Sequence, residues 1–135
     1  MRRAERGNTL IEFAVSLALL AVMFAGIFEI GYSFYTYAAL QNAVRAGARY
    51  AALQSGDSAE VAKAVRNLVV YGDPAPTDRT QPLVSGLTTD HVELIDAPGA
   101  RTVALRDFEL DAVFMKFKLN GRPTVTFPIT SGSTK

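Results

Sequence analysis

A carboxylate stands at the mouth of an apolar helix in the stretch Arg-Gly-Asn-Thr-Leu-Ile-Glu-Phe, Arg6 to Phe13. Taking Glu12 out of water is costly unless it finds a partner, and its cheapest partner is a positive group at the same depth. Cleavage after Gly7 would create one, the α-ammonium of Asn8, from the same subunit or from the next one in an assembly. The other reactive groups are weaker. His91 is the single histidine and stands at the start of an expected strand, where it reads as a surface or pairing residue. Asp107, Glu109 and Asp111 alternate along extended chain and would share one face of a single strand. A cation such as Ca²⁺ would find oxygen ligands there, but acidic side chains are mostly exposed and a solvated face or turn is favoured. Arg45 and Arg49 could meet phosphate, yet two arginines in a chain of formal net charge +1 speak against a nucleic-acid partner. No nucleophile elbow, phosphate-binding loop or dinucleotide fingerprint occurs. The absence of cysteine removes disulfides, thiolate metal sites and cysteine nucleophiles. The expectation is a protein that is not an enzyme, with no catalytic residues, cofactor or metal.

The elements that carry these groups are unevenly built. A chain of 135 residues suffices for one domain, and its 49% hydrophobic content is ordinary only as an average. From Phe13 to Val44 the only charge is Glu29, and FAVSLALLAVMFAGIF, Phe13 to Phe28, has none. As a helix those 16 residues span about 24 Å, a little short of a ~30 Å hydrocarbon core. Ile30, Gly31 and the aromatics Tyr32, Phe34, Tyr35 and Tyr37 extend the apolar length, and such rings suit the place where a helix leaves a membrane. Arg2, Arg3 and Arg6 precede it, so the N-terminus is expected in the cytoplasm. Glu29 follows Glu12 by about 25 Å along a helix, near the opposite boundary, where it reads as an interfacial acid in contact with headgroups and water.

The helix is expected to continue past the membrane. Tyr37 to Gln54 contains no proline and is rich in alanine. Gln41, Arg45 and Arg49 form a polar stripe, while Ala39, Ala43, Gly47 and Ala51 form a second stripe at the same spacing. Small residues every fourth position admit close backbone approach, either by the chain's own C-terminal part or by neighbouring copies. One helix from about Thr9 to Gln54 would be on the order of 70 Å long.

Beyond Ser55-Gly56, Asp57 and Glu60 suit the start of a short helix whose inner face would hold Val61, Val65, Leu68 and Val69, with Lys63, Arg66 and Asn67 turned away. Gly72 and Pro74 end it. Asp73 to Asp90 reads as a long loop, extended at most near Leu83-Val84. Strands are expected at His91–Asp96, Arg101–Asp107, Asp111–Lys118 and Thr124–Thr130, with breaks at Pro98-Gly99 and Phe108–Leu110. Asn120-Gly121 signals a hairpin between the last two. The fold class is therefore α+β, organised as residues 1–7, a transmembrane helix 8–36, its extramembrane continuation 37–54, and a small antiparallel head 55–135. Residues 131–135 are polar and expected to fray.

A basic leader ending in Gly7, glutamate at the fifth position after it and an uninterrupted apolar helix resemble the type IV prepilin signal. The resemblance implies cleavage after Gly7, a new N-terminus at Asn8, and Glu12 registering one subunit on the next. Asn8 departs from the phenylalanine common at that position. Glu12-Phe13 is similar to the pair found in the tight-adherence (Flp pilus) branch. GIFEIGYSFYTYAALQNAVRAGARYAA, Gly26 to Ala52, is similar to TadE-like pseudopilins, which read Glu-Phe/Ile-Gly and then an Ala-Arg-Ala-Gly-Ala-Arg pattern. The resemblance covers Arg6 to about Ala52 and implies a minor pseudopilin of a Flp pilus or related secretion machine. Its implied partners are a prepilin peptidase, other pilins or pseudopilins of TadE, TadF or Flp type, an inner-membrane assembly platform and membrane lipid. The implied location is a single-pass inner membrane, with the head periplasmic or extracellular, or incorporation into a pilus. Two rivals compete. A secretory signal needs a small-residue cleavage site after the apolar run, and no clean one occurs. A single-pass envelope protein whose external domain binds a ligand or partner would keep Met1, whereas a pseudopilin would begin at Asn8.

Overall fold

A computed structural model of the chain describes residues 2–54, 58–119 and 121–129, with side chains from Asn8 onward. The architecture is α+β: one long helix, one short helix and two small antiparallel sheets. Helix α1 runs unbroken through Arg2–Leu53, taking in the basic segment ahead of Thr9. Its 52 residues span about 78 Å. No proline occurs before Pro74, so nothing removes a rung of the ladder. Two hydroxyls within it bond back to the helix: Ser33 donates to the Glu29 carbonyl and Thr36 to the Tyr32 carbonyl, each at 2.9 Å.

The C-terminal half of α1 is the spine of the head. Leu40, Val44, Ala48 and Ala51 are fully buried, and they join the core with Ala43. Helix α2, Ser58–Tyr71, lays Val61, Val65, Val69 and Val70 against this spine. Leu68, expected on that inner face, is only half-buried, and Val70 is buried instead. Lys63 and Arg66 are exposed as their polarity requires, while Asn67 donates to the Pro74 carbonyl at 3.2 Å. Gly72 ends α2 with φ +75, its N–H donating to the Leu68 carbonyl at 2.9 Å. Such a left-handed cap favours a residue without Cβ. The expected N-cap Asp57 lies outside the described residues, as do Asn120 and the tail 131–135.

The chain from Asp73 to Thr88 is irregular but anchored. Val84 and Leu87 are buried, and the Leu83 N–H donates to the Val70 carbonyl at 2.7 Å. A short 3₁₀ turn, Thr89–His91, follows. His91 is structural: its Nδ1 accepts from the Thr88 N–H at 3.2 Å, and its ring meets Phe108 edge-on at 5.4 Å.

Five strands complete the head: β1 Val92–Ala97, β2 Ala100–Leu105, β3 Phe108–Asp111, β4 Lys116–Leu119 and β5 Thr124–Pro128. The order β1-β2-β5 makes one antiparallel sheet, and β3-β4 makes the other. β1 and β2 pair from Val92 opposite Leu105 to Ala97 opposite Ala100, across the expected Pro98-Gly99 turn. The remaining expectations need correction. The segment Asp111–Lys118 is not one strand, because the chain reverses at Ala112–Met115, with the Ala112 N–H donating to the Met115 carbonyl at 2.9 Å. Phe108–Leu110, expected as a break, is strand, because Phe108 and Leu110 are buried in the core. Asn120-Gly121 does not join a hairpin: β4 pairs with β3, and β5 with β2. The three acids do not share a strand face either. Asp107 sits in the β2–β3 turn at φ +50, while Glu109 and Asp111 pair across the ladder with Lys118 and Lys116, each at 3.1 Å.

One side chain ties the sheet to the end of α1. The Arg101 guanidinium donates from Nη1 to the carbonyls of Ala51, at 2.6 Å, and Gln54, at 2.9 Å, while its Nε meets Asp96 at 3.0 Å. The terminal carbonyls of a helix lack internal partners and carry the negative end of its dipole, so a cation there satisfies both needs. Arg101→Ala is expected to destabilise the head by about 1–3 kcal/mol, read as a lower urea midpoint for unfolding in detergent. Arg101→Lys should recover only part of this, because one ammonium lacks the planar fork that reaches all three oxygens. An unchanged midpoint in Arg101→Ala would show that water caps α1 equally well.

Candidate functional site

The N-terminal half of α1 stands clear of the head. Every residue from Asn8 to Phe28 is exposed, except half-buried Ala25. From Leu10 to Ile30, thirteen large apolar side chains are 49–72% exposed. Covering a side chain of this kind is worth ~1.5–3 kcal/mol, so even half of that over the whole set is on the order of 10–20 kcal/mol. That is the size of an entire domain's stability. Water is therefore the wrong solvent for this shaft, and it needs lipid or other apolar helices around it. Among the described residues, one helix is long and apolar enough to cross a membrane, and this is it. The chain fits a single-pass membrane protein.

The residues marked out by the sequence lie at the start of the shaft. Gly7 and Asn8 are within the helical backbone of α1, and Glu12 and Phe13 are exposed on its surface. No ion pair to Glu12 is present among the described residues. The small-residue stripe has a different environment. Ala43, Gly47 and Ala51 are buried and Ala39 is half-buried, facing the chain's own core. At Gly47 the approach is extreme, since a Cβ there would lie 2.5 Å from Val69 Cγ2 on α2. Of the polar stripe, Gln41, Arg45 and Arg49 are all exposed. Arg45 and Arg49 border a shallow groove of about 580 Å³ that Phe127 of β5 closes.

Glu29 departs from the expectation of an acid bathed in water and headgroups. It is 6% exposed. Its Oε1 accepts two backbone hydrogen bonds from the β3–β4 turn, from Phe114 N–H at 3.0 Å and Met115 N–H at 2.9 Å. The other oxygen, Oε2, is buried without a hydrogen-bond partner among the described residues. A carboxylate holding two adjacent amides is a strong, charge-assisted anchor for a turn. Beside it, Ile30, Phe34 and Tyr37 of α1 face Leu110, Met115 and Phe117 of the β3–β4 hairpin across an apolar groove of about 360 Å³. Sequence reasoning passed over this clamp because its second half, the turn amides, carries no side-chain signal. The available hint was an isolated acid in an otherwise apolar run, which seldom stays unpartnered.

The arrangement offers a bare apolar shaft, a carboxylate near its start, and a second carboxylate clamping the head where the shaft ends. Among the described residues, no group of three or more acids, histidines or cysteines could hold a metal ion. Neither a curated protein nor a solved structure matches the chain. The TadE-like protein family model matches residues 7–49, a stretch that lies wholly within α1.

Proposed function

We propose that the chain is a minor pseudopilin of a tight-adherence (Flp) pilus or its related secretion machine, and that its work is assembly rather than catalysis. In this reading a prepilin peptidase cuts after Gly7, which removes Arg2, Arg3, Arg6 and Glu5 and lowers the formal charge by two, from +1 to −1. The freed α-ammonium of Asn8 pairs with Glu12 of the same or the next subunit, because each charge makes the other's removal from water less costly. Phe13 and the apolar residues after it bundle with the helices of other pilins or pseudopilins as the subunit leaves an inner-membrane platform. The head, on the far side of the membrane from the leader, selects the partners. The observation that carries this reading is the uncovered shaft from Asn8 to Phe28, with Glu12 at its start, lying inside the TadE-like match.

N-terminal sequencing of protein purified from membranes tests the reading, with Asn8 as the expected first residue. A chain that retains Met1 would sink it and leave a simple membrane anchor. Gly7→Leu is expected to abolish cleavage, seen as full-length precursor on a denaturing gel. Glu12→Ala is expected to be processed normally but to be lost from sheared pilus or secretion-complex fractions, by about tenfold or more. Normal incorporation of Glu12→Ala would remove the pairing mechanism.

A further inference from the structure

The end of the apolar shaft is marked by more than α1 itself. The β3–β4 turn presents Val113, Phe114 and Met115, which are 55%, 72% and 56% exposed. They are the most exposed apolar cluster of the head, and they are not far out on it. Two of their amides are within 3.0 Å of the Glu29 carboxylate. A helical side chain leans toward the helix N-terminus, so the Glu29 carboxylate, and the turn bound to it, lie toward the apolar shaft rather than away from it.

Length places this level at a membrane boundary. The charge-free segment Phe13 to Phe28 supplies about 24 Å of helix, whereas a hydrocarbon core is ~30 Å thick. Filling that thickness from Phe13 takes about 20 residues and reaches Tyr32, beyond Glu29. Glu29 then lies at or just inside the boundary, where an acid exposed to lipid would be costly. The turn resolves this: its backbone N–H groups satisfy one carboxylate oxygen and shield the residue, while its own side chains point outward as apolar surface. Immediately behind the tip, Asp111 and Lys116 pair at 3.1 Å, so polarity returns within one residue on either side of Ala112–Met115. Tyr32 and Tyr35 are exposed on α1 about 5 and 9 Å beyond Glu29, as suits rings on the water side of a lipid boundary.

We propose that the β3–β4 turn is a second membrane contact, with Val113, Phe114 and Met115 immersed in the lipid–water boundary from which the head emerges and with Glu29 fixing its depth. This rests on the reading that α1 spans the bilayer. Its consequence is mechanical: a helix alone lets the head swivel and tilt, whereas two attachments hold it in one orientation to the membrane plane.

The natural chain has no tryptophan, so a single introduced one reports its own surroundings. The full chain is reconstituted in phosphatidylcholine vesicles, plain or brominated either near the headgroup or near the acyl-chain ends. Three variants are compared: Phe114→Trp at the tip, Phe24→Trp in the shaft, and Ile95→Trp, an exposed β1 site next to Asp96, whose partner Arg101 caps the far end of α1. Phe114→Trp is expected to emit to the blue of Ile95→Trp and to lose about half its emission to lipid brominated near the headgroup, with less loss to chain-end bromine. Phe24→Trp should be quenched most by chain-end bromine, and Ile95→Trp by neither. If Phe24→Trp is quenched and Phe114→Trp matches Ile95→Trp, the turn does not touch lipid and the inference alone is overturned. Failure of quenching at Phe24→Trp would overturn the membrane span and this inference together. Tip emission that shifts with protein-to-lipid ratio, without bromine quenching, would assign the turn to a second copy and likewise overturn it. As a check independent of the large ring, Val113→Cys should resist a water-soluble maleimide in plain vesicles while Ile95→Cys reacts; equal labelling counts against the proposal.

Discussion

Glu29→Ala is expected to free the β3–β4 turn from α1 while leaving most of the head folded. The substitution removes the acceptor of two backbone hydrogen bonds, from Phe114 and Met115. Bonds to a charged acceptor contribute ~1.5–3 kcal/mol each, but part of that is recovered. The buried Oε2, which has no partner among the described residues, disappears with the carboxylate, and the freed amides can find water once the turn lifts. A net loss of about 2–3 kcal/mol of local docking energy results. By hydrogen exchange, protection of the Phe114 and Met115 amides should fall by roughly 30- to 150-fold, at 1.4 kcal/mol per factor of ten. Amides of β1 and β2 should change little, because Phe108 and Leu110 still hold β3 in the core. Glu29→Gln keeps a carbonyl acceptor at the same reach and should cost less than ~1 kcal/mol. Unchanged exchange at both turn amides in Glu29→Ala would show that apolar contacts across the groove, not the carboxylate, hold the turn.

Gly47→Leu should be the most damaging single change to the head. An added Cβ at this position meets Val69 Cγ2 at 2.5 Å and Val65 Cγ1 at 3.5 Å, with the Val65 carbonyl at 3.8 Å. Val69 is fully buried and β-branched, so its side chain cannot rotate aside cheaply. Gly47→Ala sets an overpacking cost of ~1–3 kcal/mol against a gain in helix propensity of ~1 kcal/mol, for a net loss of about 1 kcal/mol. Leucine adds three further carbons where the α2 backbone already stands, so the helices must separate. About 4 kcal/mol or more is expected, read by urea unfolding of the head in detergent. A double-mutant cycle isolates the cause. Val69→Ala alone should cost about 2 kcal/mol, yet Gly47→Ala with Val69→Ala should fall short of the summed losses by about 1–2 kcal/mol, since the missing methyls make room. Strict additivity would mean that the contact at Gly47 does not set the helix spacing.

Together these changes separate two jobs of α1. Its C-terminal half is a packing spine, where Gly47 decides how near α2 can lie. Its N-terminal half is an uncovered apolar shaft whose function depends on what surrounds it. Glu29 stands where one becomes the other, and its clamp on the turn is the only hydrogen-bonded link between the shaft's end and the sheets among the described residues.

Residue order alone carried the long helix, its continuation past the aromatics, the short second helix and the break at Pro98-Gly99, because each depends on neighbours within one or two turns. The same locality made the apolar shaft legible, since hydropathy is a property of a segment whatever it packs against. Pairing partners were not legible in this way. Asn120-Gly121 has the composition of a hairpin turn, yet β5 joins β2 because that edge lies over α1, and β3 keeps β4 through Phe108 and Leu110 in the core. Asp111–Lys118 alternates like a strand, but four of its residues turn around the Glu29 carboxylate, which is 85 positions away from Phe114 in the chain. Small-residue spacing marked Ala39, Ala43, Gly47 and Ala51 as a face for close approach without saying to what; at Gly47 it is α2, because the chain folds back within a few residues of the end of α1. What the chain segments decide for themselves is where apolar surface lies. Which of that surface is covered, and by which backbone amides and side chains, is settled only when distant segments meet, because burial and hydrogen bonding are properties of pairs.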